Sequence, residues 1–163
     1  MTTINLKFGS QVKTIEIPKK NLLGVLYPNE LPGVDNDLEE VRRALKNPIG
    51  SEPLNRLVRP NNKIAIMVSD ITRPSPSKKL LPPIIEELSR SKVPDDNITI
   101  VFGMGIHRNH TEEEKRKLIG EEIYRRFRCV DSTDCDHYIS YGTTSRGTPI
   151  EICPPVAEAD FRI

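Results

Sequence analysis

Two short segments of the sequence concentrate the side chains that could do chemistry, and each directly follows an apolar run. The first, "SDITRPSP", follows "KIAIMV" and carries Asp70, Thr72 and Arg73. The second, "GMGIHRNHT", follows "ITIVF" and carries His107 in a glycine-rich turn. Arginine binds carboxylates through paired hydrogen bonds, and a histidine near a helix N-terminus can act as a general base. Together the segments indicate a site that binds a carboxylate and moves a proton.

Each of these residues also has a purely structural interpretation. Asp70 could close an Asx-type turn and cap the following helix, with Arg73 in solvent. His107 could be a surface residue of a glycine-rich turn that ends at Thr111, the N-cap of the following helix. His110 is as well explained by a supporting or capping role as by catalysis, so the proton transfer is assigned to His107.

The apolar runs that precede the two segments are typical of strands buried on both faces of a parallel sheet. Ligands bind such sheets outside the carboxyl ends of the strands, where both segments lie. Strand and helix patterns alternate through the middle of the chain, and the first residues alternate as a two-stranded hairpin. The sequence therefore predicts an α/β fold, a largely parallel sheet flanked by helices with an N-terminal β-hairpin, in a single domain over residues 1–163.

Capping signals mark the helices. Asp35 or Asn36 can begin a helix over "DLEEVRRALK", and Thr111 with Glu114 forms a capping box before a helix that stops at Gly120. The stretch "SPSKKLLPPIIEELSRSKV" predicts a helix that restarts at its two prolines. A short helix is predicted at "PLNRLVRP" and a third strand at "NLLGVLYP". Three further strand-like runs, "HYISYG", "TPIEIC" and "ADFRI", end the sequence.

Composition excludes several classes of function. The 24 Lys and Arg nearly balance the 23 Asp and Glu, so the net charge of +1 gives no general attraction to nucleic acid or anionic membranes. No apolar stretch approaches the ~18 residues of a membrane helix. Cys129, Cys135 and Cys153 form no CxxC pair, which favours a reducing cytoplasm over a disulfide scaffold. Neither these cysteines nor the histidines have the spacing of a zinc site, so no metal ligand is predicted.

The segments "SDITRPSP" and "GMGIHRNHT", in this order, resemble those of the lactate racemase family, whose members depend on a nickel-pincer nucleotide. The later segments "YGTTSRGTPIEIC" and "EADFRI" are similar to the family's "G-T-T-x-x-G-T-P-[IV]" and "E-A-D" stretches. The likeness runs through almost the whole chain. It implies an isomerase that racemises or epimerises a 2-hydroxy acid by hydride transfer from C2 to the cofactor, while histidines exchange the hydroxyl proton.

The resemblance also implies roles for individual residues. His107 matches a catalytic histidine of the family. Arg73 and Asp70 match residues that bind the substrate, and Asp70 is also placed on the cofactor side. Thr72, Gly105 and Arg108 are expected to contact the cofactor.

Other groups that the family needs lie downstream of its "E-A-D" segment: a second catalytic histidine, the lysine that carries the cofactor and a nickel-ligating histidine. The expected identity is therefore the N-terminal, catalytic-loop part of a longer racemase, truncated at its C-terminal end. By itself the chain is expected to be inactive, to bind no nickel and to self-associate through an exposed strand edge. Two alternatives stay open: a relative that performs another hydride-shuttle or dehydration step, and a stand-alone α/β module that binds a carboxylate or nucleotide without catalysis.

Overall fold

The computed structural model of the protein describes residues 1–163, which form two compact units, Met1–Gly33 and Val34–Ile163. In the first unit, β1 (Thr2–Phe8) pairs antiparallel with β2 (Gln11–Ile17). The turn between them uses a glycine at positive φ, as tight hairpins require. The predicted N-terminal hairpin is therefore confirmed.

The prediction of a third strand at "NLLGVLYP" is wrong. After a short 3-10 turn at Lys19–Asn21, this segment has no regular secondary structure. The side chains of Leu23 and Leu26 are fully exposed. Its leucines therefore lack both the pairing strand and the buried face that would stabilise an extended ladder.

The second unit is built on a four-stranded parallel sheet with the strand order β5-β4-β3-β8. Its strands are β3 (Ile64–Ser69), β4 (Ile98–Gly103), β5 (Arg128–Asp131) and β8 (Phe161–Arg162). The register pairs Ser69 with Gly103, so β3 and β4 end side by side. The predicted α/β class with a parallel sheet is confirmed. The segments "SDITRPSP" and "GMGIHRNHT" both begin at the carboxyl ends of these neighbouring strands.

Six helices accompany this sheet: α1 (Asp37–Lys46), α2 (Leu54–Leu57), α3 (Ser77–Arg90), α4 (Glu112–Ile119), α5 (Glu121–Arg126) and α6 (Pro154–Ala157). Asn36 is the N-cap of α1 and accepts hydrogen bonds from two backbone amides of its first turn. Thr111 and Glu114 form the predicted capping box of α4, which ends at Gly120 with a φ of +90°. These capping predictions are confirmed.

Helix α3 is continuous through Pro82 and Pro83, so the predicted restart at these prolines is wrong. Two prolines remove two backbone donors, which normally breaks a helix. Here Leu81, Pro83 and Ile85 are buried. Packing of these side chains in the core offsets the missing hydrogen bonds.

The core lies where the sheet meets its helices. Ile66, Ile100 and Phe102 of the strands pack in one cluster with residues of α3, α4 and α5, such as Leu88 and Ile119. A second hairpin, β6 (Ile139–Thr143) with β7 (Pro149–Ile152), is antiparallel and carries a bulge. The strand-like runs near the end of the sequence are thus strands. None of the helices has the length and hydropathy to cross a lipid bilayer.

Candidate active site

The site is centred on a contact between the loops that follow β3 and β4. Asp70 is the first residue after β3, and His107 lies in the turn that follows β4. One carboxylate oxygen of Asp70, Oδ2, accepts a hydrogen bond from Nδ1 of His107. Because Nδ1 is engaged in this way, Nε2 is the ring nitrogen left to meet a ligand.

The other carboxylate oxygen of Asp70 is held by Thr72. Oδ1 accepts hydrogen bonds from the hydroxyl of Thr72 at 2.6 Å and from its backbone amide at 2.9 Å. The side chain of Asp70 is buried at 5% exposure, whereas that of His107 is 43% exposed. The Thr72 hydroxyl, and then the imidazole of His107, lower the pKa of Asp70 to about 2. Asp70 is therefore an anion at neutral pH and directs the histidine beside it.

The turn that carries His107 depends on a glycine. Gly105 has a φ of +56°, and the amide of His107 donates to the carbonyl of Met104 at 3.0 Å. A residue with a Cβ is strained in this left-handed conformation. The glycine thus shapes the backbone that presents His107, next to the cavity where a ligand can bind.

Arg73 borders an open cavity of about 500 Å³ together with Asp70, Gly105 and His107. Its side chain is exposed and forms no ion pair within the protein. Its guanidinium is therefore available to an anionic ligand. The structure brings Arg73, Asp70 and His107 around one cavity, as the sequence predicted.

Two of the predicted cofactor-binding residues are engaged with protein groups. The hydroxyl of Thr72 donates to Asp70. Arg108 forms a bidentate ion pair with Glu114, at 2.9 and 2.7 Å, and thereby helps to lower the pKa of Glu114 to about 2. Glu114 also accepts the backbone amide of Thr111 in the capping box. The guanidinium of Arg108 is held at the start of α4, so a cofactor would have to compete with Glu114 for it.

Next to the site, a histidine that the sequence analysis considered for a supporting role is paired with an aspartate that it did not consider. His110 is buried and bonds to Asp131, the last residue of β5, at 2.8 Å between Nδ1 and Oδ1. Asp131 follows an apolar pair in a very short strand, "RCVD". The rule that functional residues lie at the carboxyl ends of parallel strands would have pointed to it.

The chain has no cluster of three or more His, Cys, Asp or Glu side chains arranged to hold a metal ion. Cys129, Cys135 and Cys153 are all unpaired. Burial raises the pKa of the Cys129 thiol to about 11, which disfavours the thiolate that a metal or an electrophile needs. The chemistry available here is thus that of a carboxylate, an imidazole and a free guanidinium.

Known proteins resemble this chain along almost its whole length. Residues 8–163 match the family model of the lactate racemase N-terminal domain. The chain is 35% identical to a lactate racemase from Lactiplantibacillus plantarum and 32% identical to one from Thermoanaerobacterium thermosaccharolyticum, in each case over 100% of this chain and 39% of the relative.

A solved structure of the lactate racemase apoprotein from Thermoanaerobacterium thermosaccharolyticum superposes with a TM-score of 0.84 at 27% identity. It covers 99% of this chain and 38% of the solved one. The chain therefore spans about two fifths of the length of these relatives. The matched model and the close superposition agree, and the chain belongs to the lactate racemase N-terminal domain family.

Proposed function

We propose that this chain is the part of a 2-hydroxy-acid racemase that binds the substrate carboxylate and exchanges the hydroxyl proton. The observation that carries the proposal is the hydrogen bond between His107 and the buried Asp70, beside a cavity that Arg73 borders. A base, a group that orients it and a cation for the substrate carboxylate are the components such a reaction requires.

In this proposal Asp70 sets the tautomer of His107. An ionised carboxylate at Nδ1 favours the form that carries its proton there and leaves the Nε2 lone pair free. Nε2 takes the proton from the substrate hydroxyl as C2 acquires carbonyl character, and returns that proton when C2 becomes tetrahedral again. Asp70 stabilises the imidazolium that exists between these steps, without taking the proton itself.

Arg73 binds the substrate carboxylate through two parallel hydrogen bonds. This contact fixes one end of the substrate, so its hydroxyl can face His107 while the hydrogen on C2 faces away from the base. A cavity of about 500 Å³ leaves room for a small hydroxy acid and part of a larger group.

The family resemblance implies a nickel-pincer nucleotide, which supplies removal and return of the C2 hydride when it is bound. Gly105 fits the organic part of such a group, because a residue without a Cβ lets the backbone approach it closely. For the metal, the resemblance implies a nickel-ligating histidine downstream of the "E-A-D" segment, and no three ligating side chains converge within residues 1–163. We therefore assign no nickel ligand and no metal-dependent step to residues 1–163.

Because the chain spans 39% of its curated relatives, we propose racemisation as an activity of the whole protein and not of this part by itself. The test is to supply the whole protein, loaded with cofactor, with pure D-lactate and then with other D-2-hydroxy acids. We expect conversion to a racemic mixture. If a hydroxy acid or nucleotide binds and neither enantiomer is converted, the chain is a binding module without catalytic activity.

A further inference from the structure

A second histidine, His110, lies behind the proposed reacting groups and is completely buried. The exposed fractions of the His110 and Asp131 side chains are 0% and 2%. A buried polar pair is retained only when its hydrogen bonds are satisfied. The partners of His110 therefore indicate what it does.

Both ring nitrogens of His110 have partners, and the two partners require opposite roles. The backbone amide of Ile71 donates a hydrogen bond to Nε2, with 3.0 Å between the two nitrogens, so Nε2 must be an acceptor. Nδ1 lies 2.8 Å from the carboxylate of Asp131, so Nδ1 must be the donor. Only the neutral tautomer with its proton on Nδ1 satisfies both contacts. An imidazolium would place two N–H groups face to face.

Asp131 fixes this arrangement from the end of β5. Its Oδ2 accepts the backbone amide of His110 at 2.9 Å and lies 3.4 Å from the ammonium of Lys115. The carboxylate therefore holds both the backbone and the ring of His110. The adjacent Ser132 accepts the amide of Met104 through its hydroxyl, so the same strand end also supports the turn that leads to His107.

The contact between His110 and Ile71 reaches the proposed site directly. Ile71 lies between Asp70, which binds the His107 ring, and Thr72, which holds the other Asp70 oxygen. The Ile71 amide is the backbone group of this loop that donates a hydrogen bond to His110. Displacement of that amide would move the Asp70 carboxylate relative to His107.

We propose that His110, as the neutral Nδ1–H tautomer set by Asp131, is a positioning residue that holds the Asp70 loop in register with His107. Its kinetic consequence rests on the proposed function, whereas its tautomer and its effect on the His107 ring do not. The competing explanation is core packing, because His110 also lies edge-on to Phe102 with ring centroids 5.1 Å apart.

Two amide substitutions separate these explanations. In His110→Asn the side-chain amide occupies the place of Nδ1, so the bond to Asp131 survives and the acceptor for Ile71 is lost. In His110→Gln the amide reaches the place of Nε2, so an oxygen can still accept from Ile71. Both variants remove the aromatic ring and its contact with Phe102, which is why packing predicts similar losses for the two.

The kinetic test uses the whole protein loaded with its cofactor. We expect His110→Asn to lower kcat by about 10- to 100-fold with KM nearly unchanged, as a misplaced catalytic pair requires. His110→Gln should stay within about threefold of the parent. Equal losses in the two variants, or a larger loss in His110→Gln, would overturn the positioning role.

The spectroscopic test needs no activity. With ¹⁵N-labelled histidine in the whole protein, the resonances that His110→Gln removes belong to His110, and they should show a protonated Nδ1 and a bare Nε2. Asp131→Asn should disturb this tautomer, since an amide can donate to Nδ1, whereas Asp134→Asn on the exposed part of the same loop should not.

The His107 ring resonances complete the test. They should shift in His110→Asn and return close to the parent values in His110→Gln. A protonated Nε2 on His110, or unchanged His107 resonances in a folded His110→Asn protein, contradicts the proposal. If the parent protein does not racemise any hydroxy acid, the proposed function fails while these spectra still decide the role of His110.

Discussion

The carboxylate of Asp70 accepts a hydrogen bond from the imidazole of His107, although 37 positions separate the two residues in the chain. The parallel pairing of β3 with β4 makes this contact possible, because Ser69 and Gly103 are register partners at the ends of the two strands. Each loop then needs only a few residues to bring its side chain to the other. The contact is thus a direct product of sheet topology.

Replacement of Asp70 by Asn should lower kcat by about 100-fold or more while KM changes little. Asn has the same size, but its amide can donate to Nδ1 of His107 and favour the tautomer whose Nε2 carries a proton and cannot act as a base. Steady-state racemisation by the whole protein measures the effect. Asp134→Asn, an exposed change of the same kind, is the control, and an Asp70→Asn enzyme with parent kcat would show that Asp70 does not orient the base.

Replacement of Arg73 by Ala should act mainly on substrate binding. Loss of a charge-assisted hydrogen bond removes about 1.5–3 kcal/mol, which corresponds to an increase of roughly 10- to 150-fold in KM. Arg125→Ala, which removes an exposed arginine paired with Glu121 on α5, is the matched control and should leave KM unchanged. An unchanged KM in Arg73→Ala would mean that another group binds the substrate carboxylate.

Stability should fall in acid because two carboxylates are held as anions. Thr72 and His107 lower the pKa of Asp70 from 3.8, and Arg108 lowers that of Glu114 from 4.5, each to about 2. Between those values the unfolded chain binds protons that the folded chain does not, so this stabilisation is complete above about pH 4.5 and is lost as the pH falls toward 2.

Urea unfolding from pH 6 to pH 2 measures this loss. The difference in unfolding free energy between the parent chain and Glu114→Gln should be largest at pH 6 and shrink as the pH approaches 2. Glu113→Gln, an exposed neighbour, serves as control. A difference between the parent and Glu114→Gln that stays constant with pH would contradict the assignment of the ion pair with Arg108.

Replacement of Gly105 by Ala should destabilise the protein by about 1–2 kcal/mol, because the φ of +56° is strained for any residue with a Cβ. No atom lies within 4 Å of the added Cβ, so strain and not a clash is the cause. Gly24→Ala also meets open space and lacks the positive φ, so it should cost nothing. Equal unfolding free energies for the two variants would show that the turn before His107 adapts freely.

The sequence was most informative where a feature is local. The cap at Asn36, the capping box of Thr111 and Glu114, and the apolar runs of β3 and β4 all follow from residues within a few positions of one another. The same local reasoning located the two loops of the site, since a strand end is itself a local signal.

Features that depend on distant partners could not be read in this way. The burial of His110 depends on Asp131, 21 positions away, and on the order of the strands. Continuity of α3 through its prolines depends on core packing, which overrides the local cost of two missing donors. The leucines of "NLLGVLYP" suggest a strand. A strand also needs a neighbouring strand to pair with, and the sequence of the segment itself cannot reveal that this partner is missing.

The central claim is that His107 is the base that exchanges the hydroxyl proton, and replacement of His107 by Ala tests it most directly. The measurement is the rate of interconversion of D- and L-2-hydroxy acid by the cofactor-loaded whole protein, with His137→Ala as the exposed-histidine control. We predict that His107→Ala lowers kcat by at least about 100-fold while the substrate still binds, and that His137→Ala keeps the parent rate. Parent-like racemisation by His107→Ala would contradict the account.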